Sequence, residues 1–185
     1  GRDGGSGTVK NILLCVTGSI AAYKAAELAN RFVKDGYGVD VIMTDSAQEF
    51  ITPLTFQSLT KRKVYTSMFA EYEPSQVEHI SLAKKADLCL VAPATANIIG
   101  KIASGIADDM ATTVIMALDH APVYICPAMN TKMYENPIVQ RNIKTLEELG
   151  YRFIEPKESL LACGDLGKGA LADLGAIVKE VTENI

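Results

Sequence analysis

Residues 11–24 constrain the fold of this chain more than any other stretch. Residues 11–16 form an apolar run that is too short for a membrane helix and stops abruptly at Thr17-Gly18-Ser19. A helical pattern of apolar residues follows at once. A continuous apolar run of this kind is typical of a parallel strand that is buried on both faces. Gly18 suits a tight turn, and Ser19 is a suitable cap for the helix that follows.

The start of that helix is a candidate binding site for an anion. Backbone N–H groups at a helix start have no partner within the helix, and the helix dipole favours negative charge there. Two interpretations are open at this point. The stretch is either a phosphate-binding turn between a first strand and helix, or a plain strand–turn–helix that binds nothing.

The alternation of strand and helix patterns continues along the chain. Further strands are predicted over residues 39–43, 87–93, 123–126 and 151–154, and helices over 21–34, 53–59, 77–85, 98–105, 110–118, 136–149 and 173–185. This order predicts an α/β fold, with a Rossmann-like or flavodoxin-like doubly wound parallel β-sheet and helices on both faces. Residues 1–8 are predicted to be a flexible arm or a remnant of cloning, and residues 9–185 a single domain. The glycine-rich residues 156–172 are interpreted as a substrate lid.

The amino-acid composition indicates which classes of molecule this protein can bind. The formal net charge of −4 and the absence of a basic stripe argue against nucleic acid. No apolar run approaches the length of a membrane span, and no signal-peptide pattern is visible, so a cytoplasmic protein acting on a small molecule is expected. The four cysteines show no CxxC spacing, so no metal site is expected. Three of them lie in apolar runs, whereas Cys163 lies in a polar, glycine-bounded segment.

Polar residues follow three of the predicted strands. They are Gly18-Ser19 after the first strand, Thr95 and Asn97 after the strand at 87–93, and Asn130 after the strand at 123–126. Carboxyl ends of parallel strands meet at one edge of the sheet, so these residues are expected to share one crevice. A ligand with a phosphate and an extended polar body, such as a mononucleotide flavin, fits them. NAD is disfavoured because the first turn lacks the G-x-G-x-x-G pattern.

Two residues are candidates for proton transfer or covalent chemistry. His79 lies on a predicted amphipathic helix, where a histidine is either a structural residue or a proton acceptor. Cys163 is either an exposed thiol without a role or a nucleophile or proton donor in a mobile loop. The residues alone leave both pairs of alternatives open.

Longer motifs resemble a known family, the homo-oligomeric flavin-containing cysteine decarboxylases. The resemblance covers residues 11–172 approximately and rests on five segments: Gly18-Ser19-Ile20-Ala21, His79, residues 92–97, residues 127–134 and residues 161–165. Within the family, Pro127-Ala128-Met129-Asn130 together with Ala162-Cys163-Gly164-Asp165 is typical of the enzymes that act on 4′-phosphopantothenoylcysteine on the route to coenzyme A.

The resemblance implies a cofactor and a set of residues that bind it. FMN is expected at the strand ends, with its phosphate at Gly18-Ser19 and its ring near residues 93–95. The cofactor-binding residues that the resemblance implies are Gly18, Ser19, Ile20, Thr44, Phe50, Pro93, Ala94, Thr95 and Asn97.

It also implies the reaction and the residues that carry it. The cysteine moiety of the substrate is oxidised to a thioaldehyde-type species, which loses carbon dioxide, and the resulting enethiol is then reduced. His79 is expected to act as the base in the first half and Cys163 as the proton donor in the second. The implied substrate-binding residues are Asn130, Met133, Lys84 and Ala162.

The same resemblance implies an oligomeric assembly and leaves alternative functions to be considered. A homo-oligomer is implied, either a trimer or a dodecamer of four trimers, because family members build the site between subunits. A phosphopantothenate–cysteine ligase domain or protein is a further implied partner, and the chain is expected to be either a stand-alone decarboxylase or the decarboxylase part of a fused protein. The alternatives are a sister flavoprotein that decarboxylates the C-terminal cysteine of a peptide, a flavin prenyltransferase and a non-catalytic flavin-binding regulatory subunit.

Overall fold

A six-stranded parallel β-sheet forms the centre of the molecule. The structure, a computed structural model, describes residues 9–66, 74–160 and 166–185. The strands of this sheet are β1 (Asn11–Val16), β2 (Gly38–Met43), β3 (Val64–Tyr65), β4 (Leu88–Ala94), β5 (Val123–Pro127) and β6 (Arg152–Phe153). Their order is β3-β2-β1-β4-β5-β6, and all five ladders are parallel. The predicted doubly wound fold is therefore confirmed, with its switch point between β1 and β4.

Helices cover both faces of this sheet. They are α1 (Ala22–Lys34), α2 (Pro53–Thr60), α3 (Pro74–Lys85), α4 (Ala96–Ala103), α5 (Met110–Met116), α6 (Thr131–Glu135), α7 (Pro137–Glu148) and α8 (Leu174–Asn184). Among these described elements, none is long and apolar enough to cross a membrane.

The side chains of β1 explain why both faces are covered. Ile12, Leu14 and Val16 pack into one core with α1, α2 and α8. Leu13 and Cys15 point to the other face and pack into a second core with α3, α4, α5 and α7. All five side chains are at most 1% exposed, which agrees with a strand that reads as a continuous apolar run.

Local details of the fold differ from the sequence predictions. Ser19 does not cap α1, because an extra turn separates them: the Ser19 carbonyl accepts from Ala22 N at 2.9 Å, and the helix begins only there. A short 3-10 helix, Ser46–Glu49, follows β2. Helix α6 was not predicted.

Residues 156–172, which were interpreted as a lid, contain a pair of antiparallel strands that was not predicted. The strands of this hairpin are β7 (Lys157–Leu160) and β8 (Leu166–Ala170). Residues 161–165 lie outside the described residues, so the interpretation of this segment as a lid stays a prediction.

Candidate active site

A cavity of about 1180 Å³ opens at the carboxyl edge of the sheet. Residues that follow β1, β2, β4 and β5 line it, together with residues of the hairpin. Ligands of open α/β sheets bind in this position, outside the carboxyl ends of the strands at the switch point. The cavity is therefore the candidate active site.

The cavity brings together most of the residues predicted from the sequence. Seven predicted cofactor-binding residues line it: Gly18, Ser19, Ile20, Thr44, Phe50, Thr95 and Asn97. Two predicted substrate-binding residues, Asn130 and Met133, lie on its wall as well. Pro93 and Ala94 do not line the cavity, because both are buried within β4 directly behind it.

The turn after β1 has a backbone that leaves no room for a side chain at Gly18. A Cβ atom there would lie 2.4 Å from Ser46 Cβ and 2.8 Å from the Ser46 carbonyl carbon. Gly18 is needed for this close approach of two loops and not for an unusual φ angle, since its φ is not positive. Ser19 Oγ accepts a hydrogen bond from Ala21 N at 3.1 Å, so its side chain still satisfies an N–H group just before the helix.

A buried hydroxyl joins this turn to the end of β4. Thr17 is 2% exposed, and its Oγ1 donates to the Pro93 carbonyl oxygen at 2.6 Å. The same Oγ1 accepts from Thr95 N at 3.2 Å. Thr95 in turn caps α4, because its Oγ1 accepts from Ile98 N at 3.3 Å. The two strands of the switch point are thereby locked together directly beneath the cavity.

The end of β5 and the hairpin form the opposite wall. Asn130 caps α6 by accepting from Lys132 N at 2.8 Å, which fixes its side chain at the cavity. Met129 N donates to the Gly169 carbonyl oxygen at 2.9 Å. A Cβ atom at Gly169 would lie 2.4 Å from the Met129 carbonyl oxygen, so only glycine permits this contact. The hairpin thus packs on β5 through its backbone.

Of the two predicted catalytic residues, His79 alone belongs to the described part of the chain. Cys163, together with the predicted substrate residue Ala162, falls outside the described residues. His79 lies on α3 and does not line the cavity, nor does the exposed Lys84. The Nδ1 atom of His79 is buried and has no hydrogen-bond partner among the described residues. Buried polar atoms in folded proteins usually have a hydrogen-bond partner.

Sequence reasoning missed several residues of the cavity. Thr17 and Lys24 line the cavity but were not predicted as site residues. The same holds for Lys101 and Asp108, which form an ion pair with 3.0 Å between Lys101 Nζ and Asp108 Oδ2. The sequence does offer a sign that Thr17 belongs to the site, because this polar residue stands between an apolar strand and Gly18. Lys24 lies on the polar side of the α1 pattern, where a lysine is usually only a solvated charge.

The fold and the cavity define a protein that binds a nucleotide-like cofactor at the switch point of a parallel sheet. A family model described as flavoprotein matches residues 4–185. The chain therefore belongs to the flavoprotein family.

Two proteins of known sequence are similar to most of this chain. A probable phosphopantothenoylcysteine decarboxylase from Streptococcus mutans is 53% identical over 177 residues, which cover 95% of this chain and 99% of that protein. The coenzyme A biosynthesis bifunctional protein CoaBC from Bacillus subtilis is 56% identical over 170 residues, covering 92% of this chain. The match spans 42% of the length of that bifunctional protein.

Two solved structures also resemble this chain along nearly its whole length. A cysteine-to-serine mutant of PPC decarboxylase complexed with pantothenoylaminoethenethiol superposes with a TM-score of 0.82 and 33% identity, covering 95% of this chain and 98% of that chain. The FMN-binding protein AtHal3 gives a TM-score of 0.81 and 34% identity, with 95% and 96% of the two chains covered.

Proposed function

We propose that this protein catalyses the FMN-dependent decarboxylation of 4′-phosphopantothenoylcysteine to 4′-phosphopantetheine, a reaction of coenzyme A biosynthesis. The observation that carries the proposal is the cavity, because seven predicted flavin-binding residues and two predicted substrate-binding residues surround it. The Streptococcus mutans relative, which matches almost along its whole length, supports the same reaction.

The residues present fit FMN. Small-molecule sites usually measure about 300–1,000 Å³, so a cavity of about 1180 Å³ has room for a flavin and a substrate together. The turn at Gly18 and Ser19 presents backbone N–H groups at the start of a 13-residue helix, which suits the flavin phosphate. When bound, FMN supplies the two-electron chemistry that first oxidises the substrate and then reduces the decarboxylated product.

The chain itself orients the reactants. Gly18, Ser19 and Asn97 bind the flavin phosphate in this proposal, while Thr95 lies against the ring. Pro93 and Ala94, which are buried in β4 and do not line the cavity, would act on the flavin site by holding Thr95 in position. Ile20, Thr44 and Phe50 complete the flavin site.

On the opposite wall, Asn130 and Met133 orient the substrate in this proposal. Ala162 is a further contact, and Lys84, which does not line the cavity of its own chain, contacts the substrate from a neighbouring subunit. Met133 is 49% exposed, so an apolar surface is available for the pantothenoyl chain.

The proposed base, His79, requires a second chain in this proposal. His79 acts as base and Cys163 as proton donor, yet His79 does not line the cavity of its own chain. We infer a homotrimer in which α3 of one subunit faces the cavity of the next. Exposed apolar side chains at both places support this inference: Ile20 and Phe50 at the cavity are 81% and 52% exposed, and Ile80 beside His79 is 48% exposed. A dodecamer of four such trimers is a further assembly consistent with it.

A phosphopantothenate–cysteine ligase is the partner that supplies the substrate in this proposal. Support comes from the bifunctional relative in Bacillus subtilis, which is named for coenzyme A biosynthesis. The ligase is either a separate protein or a domain fused to the decarboxylase.

Mass spectrometry of the reaction mixture tests the proposal. The flavin-loaded protein is incubated with 4′-phosphopantothenoylcysteine, and conversion to 4′-phosphopantetheine with loss of carbon dioxide is expected. A flavin-loaded protein that leaves this substrate unchanged, but decarboxylates a peptide with a C-terminal cysteine, would assign the sister activity instead.

A further inference from the structure

Helix α3 carries the proposed base, and its described side chains attach it to its own chain through a short apolar face. Leu82 and Ala83 are the buried side chains among its residues 78–85. They follow His79 by three and four positions, so all three residues lie on the same face of the helix. Polar contacts of α3 therefore contribute to the direction in which His79 points.

Two ion pairs connect α3 to β2 and to the residues before β3. Lys63 Nζ lies 2.6 Å from Oε1 of Glu78, the residue directly before His79. Lys85 Nζ, at the end of the helix, lies 3.1 Å from Oδ2 of Asp40 in β2. Glu78 and Lys85 are about two helical turns apart, so the two ion pairs hold α3 at two separate points.

The residue before Lys63 is itself fixed against the sheet. Asp40 is buried, and its Oδ2 lies 3.2 Å from Nη1 of Arg62. The same Nη1 donates to Asn11 Oδ1 at 2.9 Å. Gly38 leaves the space for this guanidinium, because a Cβ atom there would lie 2.4 Å from Arg62 Nη2. Arg62 is thus held by β1 and β2, and Lys63 extends from this fixed position to α3.

The ion pair between Lys63 and Glu78 has little value for stability alone. The two side chains are 63% and 34% exposed, and ion pairs at the surface contribute little to the free energy of unfolding because solvent screens them. Among the ion pairs that the structure describes for α3, it is the one nearest to His79 in the sequence. Its effect is therefore expected on the direction of the His79 side chain rather than on folding.

We propose that Lys63 is a positioning residue for the proposed reaction. By pairing with Glu78 it fixes the rotation of α3, and thereby the direction in which His79 faces the cavity of the neighbouring subunit. The proposal rests on the proposed function, which assigns His79 as the base and places it against a second chain. Neither Lys63 nor Glu78 lines the cavity of its own chain, so the proposal gives them no contact with flavin or substrate.

A double-mutant cycle tests the proposal. Its variants are Lys63→Met, Glu78→Gln and the two combined, and Lys63→Arg is the conservative variant that keeps the ion pair. Glu78→Gln leaves the contact between Lys63 Nζ and the Tyr65 ring, whose centroid lies 5.1 Å away, so it separates the ion pair from this second contact. Arg31→Met is the matched control, because it removes a cation from another exposed ion pair, with Glu27 on α1.

Two measurements are made on each variant loaded with FMN. The first is the rate at which 4′-phosphopantothenoylcysteine reduces the flavin, followed by absorbance in a stopped-flow instrument. The second is the proton–carbon NMR signal of His79 in histidine-labelled protein, recorded at an alkaline pH at which imidazoles are ordinarily neutral. The chain has two histidines, and His120→Asn identifies the signal of the other one.

Lys63→Met and Glu78→Gln should each lower the rate of flavin reduction about threefold to tenfold and move the His79 signal. The combined variant should be no slower than either single variant, because the same ion pair is lost in all three. Lys63→Arg and Arg31→Met should keep both the rate and the signal. FMN affinity and the midpoint of urea unfolding should stay unchanged in every variant.

An unmoved His79 signal in Lys63→Met overturns the proposal, and so does a moved signal with an unchanged rate of flavin reduction. An effect of Lys63→Met that Glu78→Gln does not share also overturns it, because the contact with Tyr65 would then be responsible. A natural chain whose flavin this substrate does not reduce contradicts the proposed function instead, while the His79 signal still reports on Lys63.

Discussion

Thr17 and Thr95 join the two strands of the switch point through one buried hydroxyl. Thr17 Oγ1 accepts from Thr95 N at 3.2 Å while it donates to the carbonyl oxygen of Pro93 at 2.6 Å. Thr95 lines the cavity and caps α4, so this hydroxyl fixes the geometry of the cavity floor from below.

Replacing Thr17 by Val should destabilise both the fold and the site. Valine keeps the shape but leaves the Pro93 carbonyl and the Thr95 N–H without a partner, which costs about 1–3 kcal/mol. We expect a lower free energy of unfolding in urea and weaker flavin binding. Thr17→Ser keeps the hydroxyl and is the matched control. If the two variants bind flavin equally well, the hydroxyl does not set the cavity floor.

Gly18→Ala should impair flavin binding more than it impairs folding. The added Cβ would lie 2.4 Å from Ser46 Cβ, so the two loops at the cavity must separate. Overpacking of this kind costs about 1–3 kcal/mol, and we expect flavin affinity to fall at least about tenfold. Gly175→Ala is the control because its Cβ would meet nothing within 4 Å. That variant should bind flavin normally, and unchanged flavin affinity in Gly18→Ala would contradict the close approach seen here.

Gly169→Ala should release the hairpin from the end of β5. Gly169 has φ of +153°, and a Cβ there would lie 2.4 Å from the Met129 carbonyl oxygen. The Met129 N to Gly169 O hydrogen bond should therefore be lost. Limited proteolysis is expected to cut between β7 and β8 faster than in the natural chain, with Gly175→Ala again as control. An unchanged rate of cutting would mean that other contacts dock the hairpin.

Buried thiols should make the protein less stable in alkali. Burial raises the pKa of Cys126, and the hydrogen bond with Cys89 together with burial raises the pKa of Cys15. A thiol whose pKa is raised on folding stabilises the native state below its unfolded pKa of about 8.5. This contribution falls as the pH rises further, by up to about 1.4 kcal/mol per pH unit for each thiol.

Urea unfolding between pH 7 and pH 10 measures this slope. Cys126→Ala removes one of the contributing thiols, so its free energy of unfolding should fall less steeply with pH than that of the natural chain. The cavity that the substitution leaves lowers stability equally at every pH and does not affect the slope. Identical slopes would show that Cys126 titrates equally in the folded and unfolded chain.

The four inner strands of the sheet, β1, β2, β4 and β5, were predictable from the sequence because they are buried on both faces. The partly exposed two-residue strand β3 was not predicted. β1 and β4 are continuous apolar runs, and short turns between strand and helix allow few connections other than parallel crossovers. The meeting of Ser19, Thr95 and Asn130 at one cavity follows from that topology alone.

The hairpin and α6 were not predictable in the same way. β7 is largely exposed, and its pairing with the glycine-containing β8 depends on backbone contacts that leave no apolar pattern. Helix α6 has five residues and none of them is buried, so it carries no apolar face to detect. The close approach of Gly18 to Ser46 is likewise a contact between distant loops, which local patterns do not encode.

The position of His79 predicts that activity depends on two chains at once. If His79 serves the cavity of a neighbouring subunit, a chain with His79→Asn and a chain with Gly18→Asp should each be inactive. The first lacks the base, and the second places a carboxylate where the flavin phosphate binds. Mixed oligomers should recover activity, because the intact cavity of the first chain then faces His79 of the second.

Co-expression with two affinity tags isolates the mixed oligomers, and carbon dioxide release measures the recovery. The His79→Asn chain alone should still bind flavin, which separates loss of the base from loss of the site. Light scattering of the same samples determines whether three chains are present. If mixed oligomers form but stay inactive, His79 must act within its own chain, and its buried Nδ1 must then find its partner without a neighbouring subunit.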